Sequence, residues 1–324
     1  MGLKELSKTC LEYEGLLPVF RVDSFFDALV HNFRGRTFSI ALSPDHESLA
    51  VAGEDSRLFI LKIQDGPQEP QILETGQPII EKVFFIPETD IIITLGGAGA
   101  IEAYDLHSGK LKFTIPHAHG KGIFAYAVNK KSNMLYTGSL DGIIKQWDLD
   151  GFKNSKIYVS KRKGVLSLLF KNRLSYSGNV NGMVNAWDEY LNQSYFKCHD
   201  GPVFTLSLNE NLNCLITGGS DGYLKFWDRN THEKMLEINT RQQKVMDTLS
   251  LDPWGNFDNE TVMTAGGDGT VKLWMIHQGT MNCSKLLSLK IQKRTIEKLI
   301  KIPGESRIFT VSSSGKINTI SWIE

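Results

Sequence analysis

Two histidine–aspartate pairs recur in one frame along this chain: His119 with Asp141, and His199 with Asp221, twenty-two residues apart in each case. An aspartate that orients an imidazole is the arrangement of a general base, so these pairs are the first candidates for chemistry. The frame holds more than a base. Thr137 and Thr217 stand eighteen residues after their histidines, and Trp147 and Trp227 stand ten residues after the threonines. Outside these frames the sequence carries no glycine-rich phosphate loop, nucleophile elbow, metal-ligand cluster or carboxylate pair. Cys10, Cys198, Cys214 and Cys283 form no C-x-x-C pair and read as reduced thiols of an intracellular protein.

The frames belong to a longer repetition. "YTGSLDGIIKQWD" (136–148), "ITGGSDGYLKFWD" (216–228) and "MTAGGDGTVKLWM" (263–275) are three copies of one phrase. Anchored on the threonine, weaker copies extend the series to seven anchors at 51, 94, 137, 177, 217, 264 and 310, at intervals of 43, 43, 40, 40, 47 and 46 residues. "IEKVFFIP" (80–87) and "IEKLIKIP" (296–303) each begin fourteen residues before their anchor, which supports the weak copies. Each unit reads as short Val-, Ile-, Phe- and Leu-rich runs punctuated by turn residues. Asp-Gly supplies a tight turn, and "IIKQW" alternates as a strand does. Four such strands in about 43 residues is the arithmetic of a propeller blade.

Glycine-rich hairpins ending in Trp-Asp at this period resemble the WD40-repeat family over about residues 30 to 324. The resemblance implies an all-β fold, a seven-bladed WD40 β-propeller, with the ring closed by an N-terminal strand that completes the last blade. It also implies that His119, Thr137, Asp141 and Trp147, and likewise His199, Thr217, Asp221 and Trp227, form structural tetrads rather than catalytic sites. The chemistry agrees: aspartate accepts, imidazole relays, hydroxyl bridges and indole N–H donates. In the other five units Phe33, Gly76, Lys161, Arg241 and Gln292 fall in the histidine slot, so packing alone is expected to hold those blades. The chain stops at "INTISWIE", a third strand. The missing outer strand is expected from "LPVFRVD" (17–23) or "FFDALV" (25–30). Residues 16–324 then form a single propeller. Residues 1–15 are an extension in which Leu3, Leu6, Cys10 and Tyr13 fall near one face of a short helix, lying on the propeller or serving a partner.

Composition bounds the setting. Lys plus Arg equals Asp plus Glu, 36 of each, which argues against nucleic acid or an acidic membrane as a bulk electrostatic partner. No run approaches the ~20 apolar residues of a membrane span, and no signal peptide is legible. Gly2 is followed by Leu6 where a myristoylation signal wants a hydroxyl. The expected location is intracellular, cytoplasmic or nuclear.

In peptide-reading members of the family the second residue of each inner strand points into the mouth of the central channel. Here the resemblance assigns Phe38, Glu81, Phe124, Leu166, Phe204, Met246 and Glu297 to that ring. Leu140 and Val180, each before a turn, extend the apolar arc across blades three and four. An apolar arc beside two glutamates suits a peptide that carries Lys or Arg next to apolar residues. Other patches are weaker. "KRKG" (161–164) reads as a solvated loop, and "DPWGNF" (252–257) as a longer rim turn. "FRGR" (33–36) resembles the paired arginines of phosphoinositide-binding propellers but is split by Gly35. The reading is a non-catalytic scaffold or adaptor, a subunit of a larger complex, with no cofactor and no metal. The alternatives are a reader of phosphate groups through a basic patch and an enzyme with its site in the mouth.

Overall fold

The structure is a computed structural model and describes residues 11–12, 19–26, 33–63, 69–159, 163–171, 174–188, 193–251, 259–277 and 279–323. Every regular element among these is a β-strand. The strands form seven sheets of four antiparallel strands, one of them extended by a short fifth strand. This is a seven-bladed propeller. The inner strands, in order, are Thr37–Leu42, Ile80–Phe85, Ile123–Asn129, Val165–Lys171, Val203–Asn209, Val245–Leu251 and Ile296–Lys301. All seven anchors of the repeat lie on the second strands of successive blades.

The repeated phrase folds as its residue types require. In the Asp-Gly turns the aspartate accepts a hydrogen bond from the backbone two residues on: Ile143 N to Asp141 at 2.8 Å, Tyr223 N to Asp221 at 3.1 Å and Thr270 N to Asp268 at 3.0 Å. The glycine after the anchor has a different task. A Cβ on Gly138, Gly178 or Gly218 would stand 2.5–2.7 Å from the valine Cγ1 that opens the next inner strand: Val165, Val203 or Val245. Glycine there lets neighbouring blades approach.

Among the described residues the buried apolar side chains fall into seven clusters, each drawn from two adjacent blades. Trp147, for example, packs with Ile93 and Leu95 of blade two, and Trp227 with Tyr176 and Val184 of blade four. The core is therefore a ring of interfaces, and a blade missing one neighbour would expose one face of its sheet.

Closure of the ring comes from the N-terminal side. Val19–Phe26 pairs antiparallel with Ile317–Ile323 in the register Val22 to Ile320, and completes blade seven. This strand straddles the two candidate segments, taking in 19–23 of the first and 25–26 of the second. Phe20 packs on Trp322 with ring centroids 6.1 Å apart, and Phe25 meets Phe309 edge-on at 4.7 Å. The helix read over residues 1–15 lies largely outside the described residues. Leu11–Glu12, within it, are extended and pair in parallel with Ser284 and Lys285 at the edge of blade six. Their backbone is a sheet edge, not a helical turn. Among the described residues no helix is long and apolar enough to cross a membrane.

Cys198 and Cys214 are buried free thiols, whereas Cys283 is disulfide-bonded, which departs from the reading of all four cysteines as reduced. Cys10 lies outside the described residues.

Deleting residues 1–26 removes the closing strand and opens blade seven. The truncated protein is expected to melt at least about 10 °C lower and over a broader range than the full chain, as followed by calorimetry. A transition of unchanged midpoint and width would show that the strand does not close the ring.

Candidate functional site

One local irregularity recurs in all seven blades. The ladder between inner and second strands slips at the second residue of every inner strand, between Thr37 and Ser39, Ile80 and Lys82, Ile123 and Ala125, Val165 and Ser167, Val203 and Thr205, Val245 and Asp247, and Ile296 and Lys298. The skipped residues are Phe38, Glu81, Phe124, Leu166, Phe204, Met246 and Glu297, the ring taken from the sequence for the channel mouth. A bulge leaves its extra residue without a partner in the ladder and re-aims its side chain. All seven are half-buried.

Apolar and acidic parts of the ring meet at Gly97. A Cβ there would stand 3.4 Å from Glu81 Oε1, while the Phe124 ring edge and the Gly97 carbonyl both crowd the place of a Cβ on Gly122, at 2.8 Å each. Leu140 and Val180 converge over Gly164, whose added Cβ would lie 2.8 Å from Leu140 Cδ2 and 3.2 Å from Val180 Cγ1. Neither is fully buried. Of the weaker patches, residues 161–162 of "KRKG" and all of "DPWGNF" lie outside the described residues.

The glutamates are not an isolated acidic edge. Arg36 binds Glu54 at 2.7 Å and lies over the Phe38 ring, 5.3 Å from its centroid. Its charge also reaches Glu81 and Glu297. Lys82, one residue below the bulge, acts on both glutamates and has no ion-pair partner within 4 Å among the described residues. Burial dominates nonetheless. It pushes Glu81 up to about 6 and Glu297 up to about 7, against the partial relief of Lys82 and Arg36; Lys244 also relieves Glu297. The two carboxyls therefore titrate near neutrality.

The row beneath the mouth stitches blades together. Ser39 Oγ accepts from Val83 N at 3.1 Å, Ser167 Oγ donates to the Val203 carbonyl at 3.0 Å, and Thr205 Oγ1 meets Thr248 Oγ1 at 3.1 Å. Asp247 accepts from Lys298 Nζ and from the Leu299 backbone N–H, both at 2.9 Å. Each bond joins one inner strand to the next. Sequence reading missed this row, although "IEK" in blades two and seven placed Lys82 and Lys298 directly after the mouth glutamates.

Away from the axis, the histidine frames close into hydrogen-bonded relays. Trp147 Nε1 donates to Thr137 Oγ1 at 2.8 Å, Thr137 lies 2.8 Å from His119 Nε2, and His119 Nδ1 lies 3.2 Å from Asp141. The second copy has 2.9 Å for Trp227 to Thr217, 2.8 Å for Thr217 to His199 and 2.8 Å for His199 to Asp221. Directionality assigns the tautomer. A hydroxyl that accepts from indole has its own proton for Nε2, so the proton on the ring sits on Nδ1 and points at the carboxylate. Burial holds His119 down at about 4, neutral at physiological pH, with Asp141 opposing that shift. Both imidazoles are buried and all their ring nitrogens are engaged.

Blade six differs from the expectation of packing alone. Buried Gln242, next to Arg241, replaces the histidine. Trp274 Nε1 donates to Thr264 Oγ1 at 3.0 Å, Thr264 donates to Gln242 Oε1 at 2.6 Å, and Gln242 Nε2 donates to the Thr270 carbonyl at 3.0 Å. Thr270 Oγ1 then reaches Asp268 at 2.7 Å. An amide both donates and accepts, so it can stand in for neutral imidazole. In blade four, Ser177 Oγ is buried without a hydrogen-bond partner among the described residues.

The profile of the family described as "WD domain, G-beta repeat" matches residues 109–148, 191–228 and 245–275, in blades that carry these relays. The chain is a WD40-repeat protein. Among curated relatives of this WD40-repeat chain, "Autophagy-related protein 16" of Arabidopsis thaliana is 21% identical over 259 residues, which are 78% of this chain and 50% of that protein. "COMPASS component SWD3" of Saccharomyces cerevisiae is 22% identical over 58% of this chain and 62% of its own length. The chain thus spans about half to three-fifths of these two relatives. The WD40 repeats of RRP9 superpose with a TM-score of 0.79 at 14% identity, over 93% of this chain and 97% of that one, a likeness of fold.

Thr217→Val removes the hydroxyl that joins Trp227 to His199 and leaves two buried polar groups unpaired. It is expected to lower unfolding free energy by about 2–4 kcal/mol in urea titration. For the mouth, folded-state carboxyls held above their unfolded value of 4.5 contribute stability at acid pH. That contribution is lost as pH rises from about 4.5 through 7. Glu81→Gln/Glu297→Gln should flatten this decline, matching wild type near pH 4 and exceeding its urea midpoint at pH 8.

Proposed function

We propose that this protein is a non-catalytic scaffold, a subunit of an intracellular complex, that holds a peptide segment of a partner at the channel mouth. The observation that supports the reading is the bulge that recurs at the second residue of every inner strand, which frees Phe124, Leu166, Phe204 and Met246 together with Glu81 and Glu297 from the ladder. A relative such as the COMPASS component SWD3 supports the subunit part. The relays support the non-catalytic part, because their imidazoles are buried and fully engaged.

The charge balance narrows the ligand. Arg36 is matched by Glu54, and Lys298 by Asp247. Lys82 is left beneath two glutamates, one carboxylate more than it can balance. The mouth therefore takes a single cation, a Lys or Arg side chain, flanked by apolar residues that cover Phe124, Leu166, Phe204 and Met246. An incoming cation stabilises the ionised carboxyl, so binding near pH 6.5 releases a proton.

The test uses an array of peptides with one Lys or Arg between Leu and Phe residues. Calorimetry of the tightest binder at pH 6.5, in buffers of different ionisation heat, is expected to show net proton release. Glu81→Gln/Glu297→Gln should remove that release and weaken binding about tenfold or more, and Phe124→Ala/Phe204→Ala should weaken it while keeping the proton signal. Equal binding by both variants would defeat the assignment.

A further inference from the structure

The far end of the channel has a different character. The inner strands continue past the mouth, and at ~3.3 Å per residue Leu42 lies roughly 13 Å below Phe38. Here the strands of blades seven, one, two and three line an open cavity of about 320 Å³. Its walls are apolar: Leu42, Phe84, Val128 and Ile300 contribute, with Tyr126 and Lys298 as the polar members of the lining. That volume is at the lower end of the range for small-ligand pockets, and apolar walls with a few convergent polar groups are their usual make-up.

Both polar members are held in place and keep unused donors. The Tyr126 ring stacks on Phe84 with centroids 4.3 Å apart and planes 13° from parallel, while its hydroxyl has no hydrogen-bond partner among the described residues and the residue is only half-buried. Lys298 Nζ is anchored by Asp247 at 2.9 Å, and 42% of its side chain remains accessible from the channel. An ammonium has three protons, and one bond to Asp247 leaves two. The second Asp247 oxygen is taken by the Leu299 N–H.

The geometry points to a binding site for a small apolar monocarboxylic acid in this lower vestibule, its hydrocarbon body against Leu42, Phe84, Val128 and Ile300 and its carboxylate on Lys298 Nζ and the Tyr126 hydroxyl. A single carboxylate can accept from the two remaining Lys298 ammonium protons and from the Tyr126 hydroxyl. A phosphate dianion would bring more charge than these donors answer, into walls that cannot solvate it. A neutral amide or alcohol would gain the apolar contact and forgo the charge-assisted bond. The apolar part of the site lies below the mouth, and it does not require the mouth to hold a peptide.

Hexanoate is the probe, and methyl NMR of the full chain is the readout. Saturable shifts are expected at the Ile40 and Ile300 methyls, with those of Met246 at the mouth unmoved, and a Kd on the order of 1 mM, as befits eight heavy atoms. Hexanamide should bind at least tenfold more weakly. Lys298→Met would strand buried Asp247 and is not the decisive variant. Tyr126→Phe keeps the stack and should weaken hexanoate about five- to tenfold, and Ile300→Trp, which fills the cavity, should abolish the shifts. Non-saturating shifts, equal binding of hexanamide, or indifference to both variants would overturn the site. Binding of a peptide with a free C-terminal leucine, without binding of hexanoate, would overturn the assignment to a free acid.

Discussion

A propeller's inner strand must do two things at once: present side chains to the axis and pair with its own second strand. A regular ladder sends alternate side chains into the two adjacent blade interfaces and leaves few for the mouth. The bulge at the second position of each inner strand resolves this. One extra residue leaves the ladder, and the residue after it is placed to bond the next blade. Phe204 and Thr205, or Met246 and Asp247, show both outcomes on consecutive residues. The mouth ring and the row of inter-blade bonds beneath it are two consequences of one backbone feature.

That coupling shapes the electrostatics. Because mouth and stitching rows are consecutive, a charge placed for one is felt by the other. Glu81 is followed by Lys82, and Glu297 by Lys298. Lys298 is claimed by Asp247 of the preceding blade, which stitches blades six and seven. Blade one, which precedes Lys82, offers Ser39 to this row, a hydroxyl that accepts from Val83 N in place of a carboxylate, and the influence of Lys82 goes to the glutamates above. Half-buried carboxyls that titrate near neutrality are the result, produced by burial and tempered by cations that serve the fold.

Much of the architecture was legible because a blade is a local object. Its four strands are contiguous in sequence, and the Asp-Gly turns, the anchor threonines and the alternating third strands all act within about 43 residues. The histidine relays were legible for the same reason, since all four members lie within one unit. Blade six shows the limit. Gln242 stands beside the residue assigned to the slot, and a glutamine reaches Thr264 only because the backbone there brings it to the same place. The helix read near the N-terminus failed at Leu11–Glu12, where a free sheet edge in blade six supplied partners that apolar spacing could not reveal.

The sequence by itself determined the number of blades, the turns and the two complete relays, because each follows from short-range spacing. Only the tertiary structure decided which segment closes the ring, that Lys298 pairs with Asp247, and that the charge of Arg36 reaches glutamates of two other blades. Those facts depend on side chains separated by tens to hundreds of residues meeting across an axis. The free energy of a charge depends on what surrounds it there, a property that no local pattern encodes.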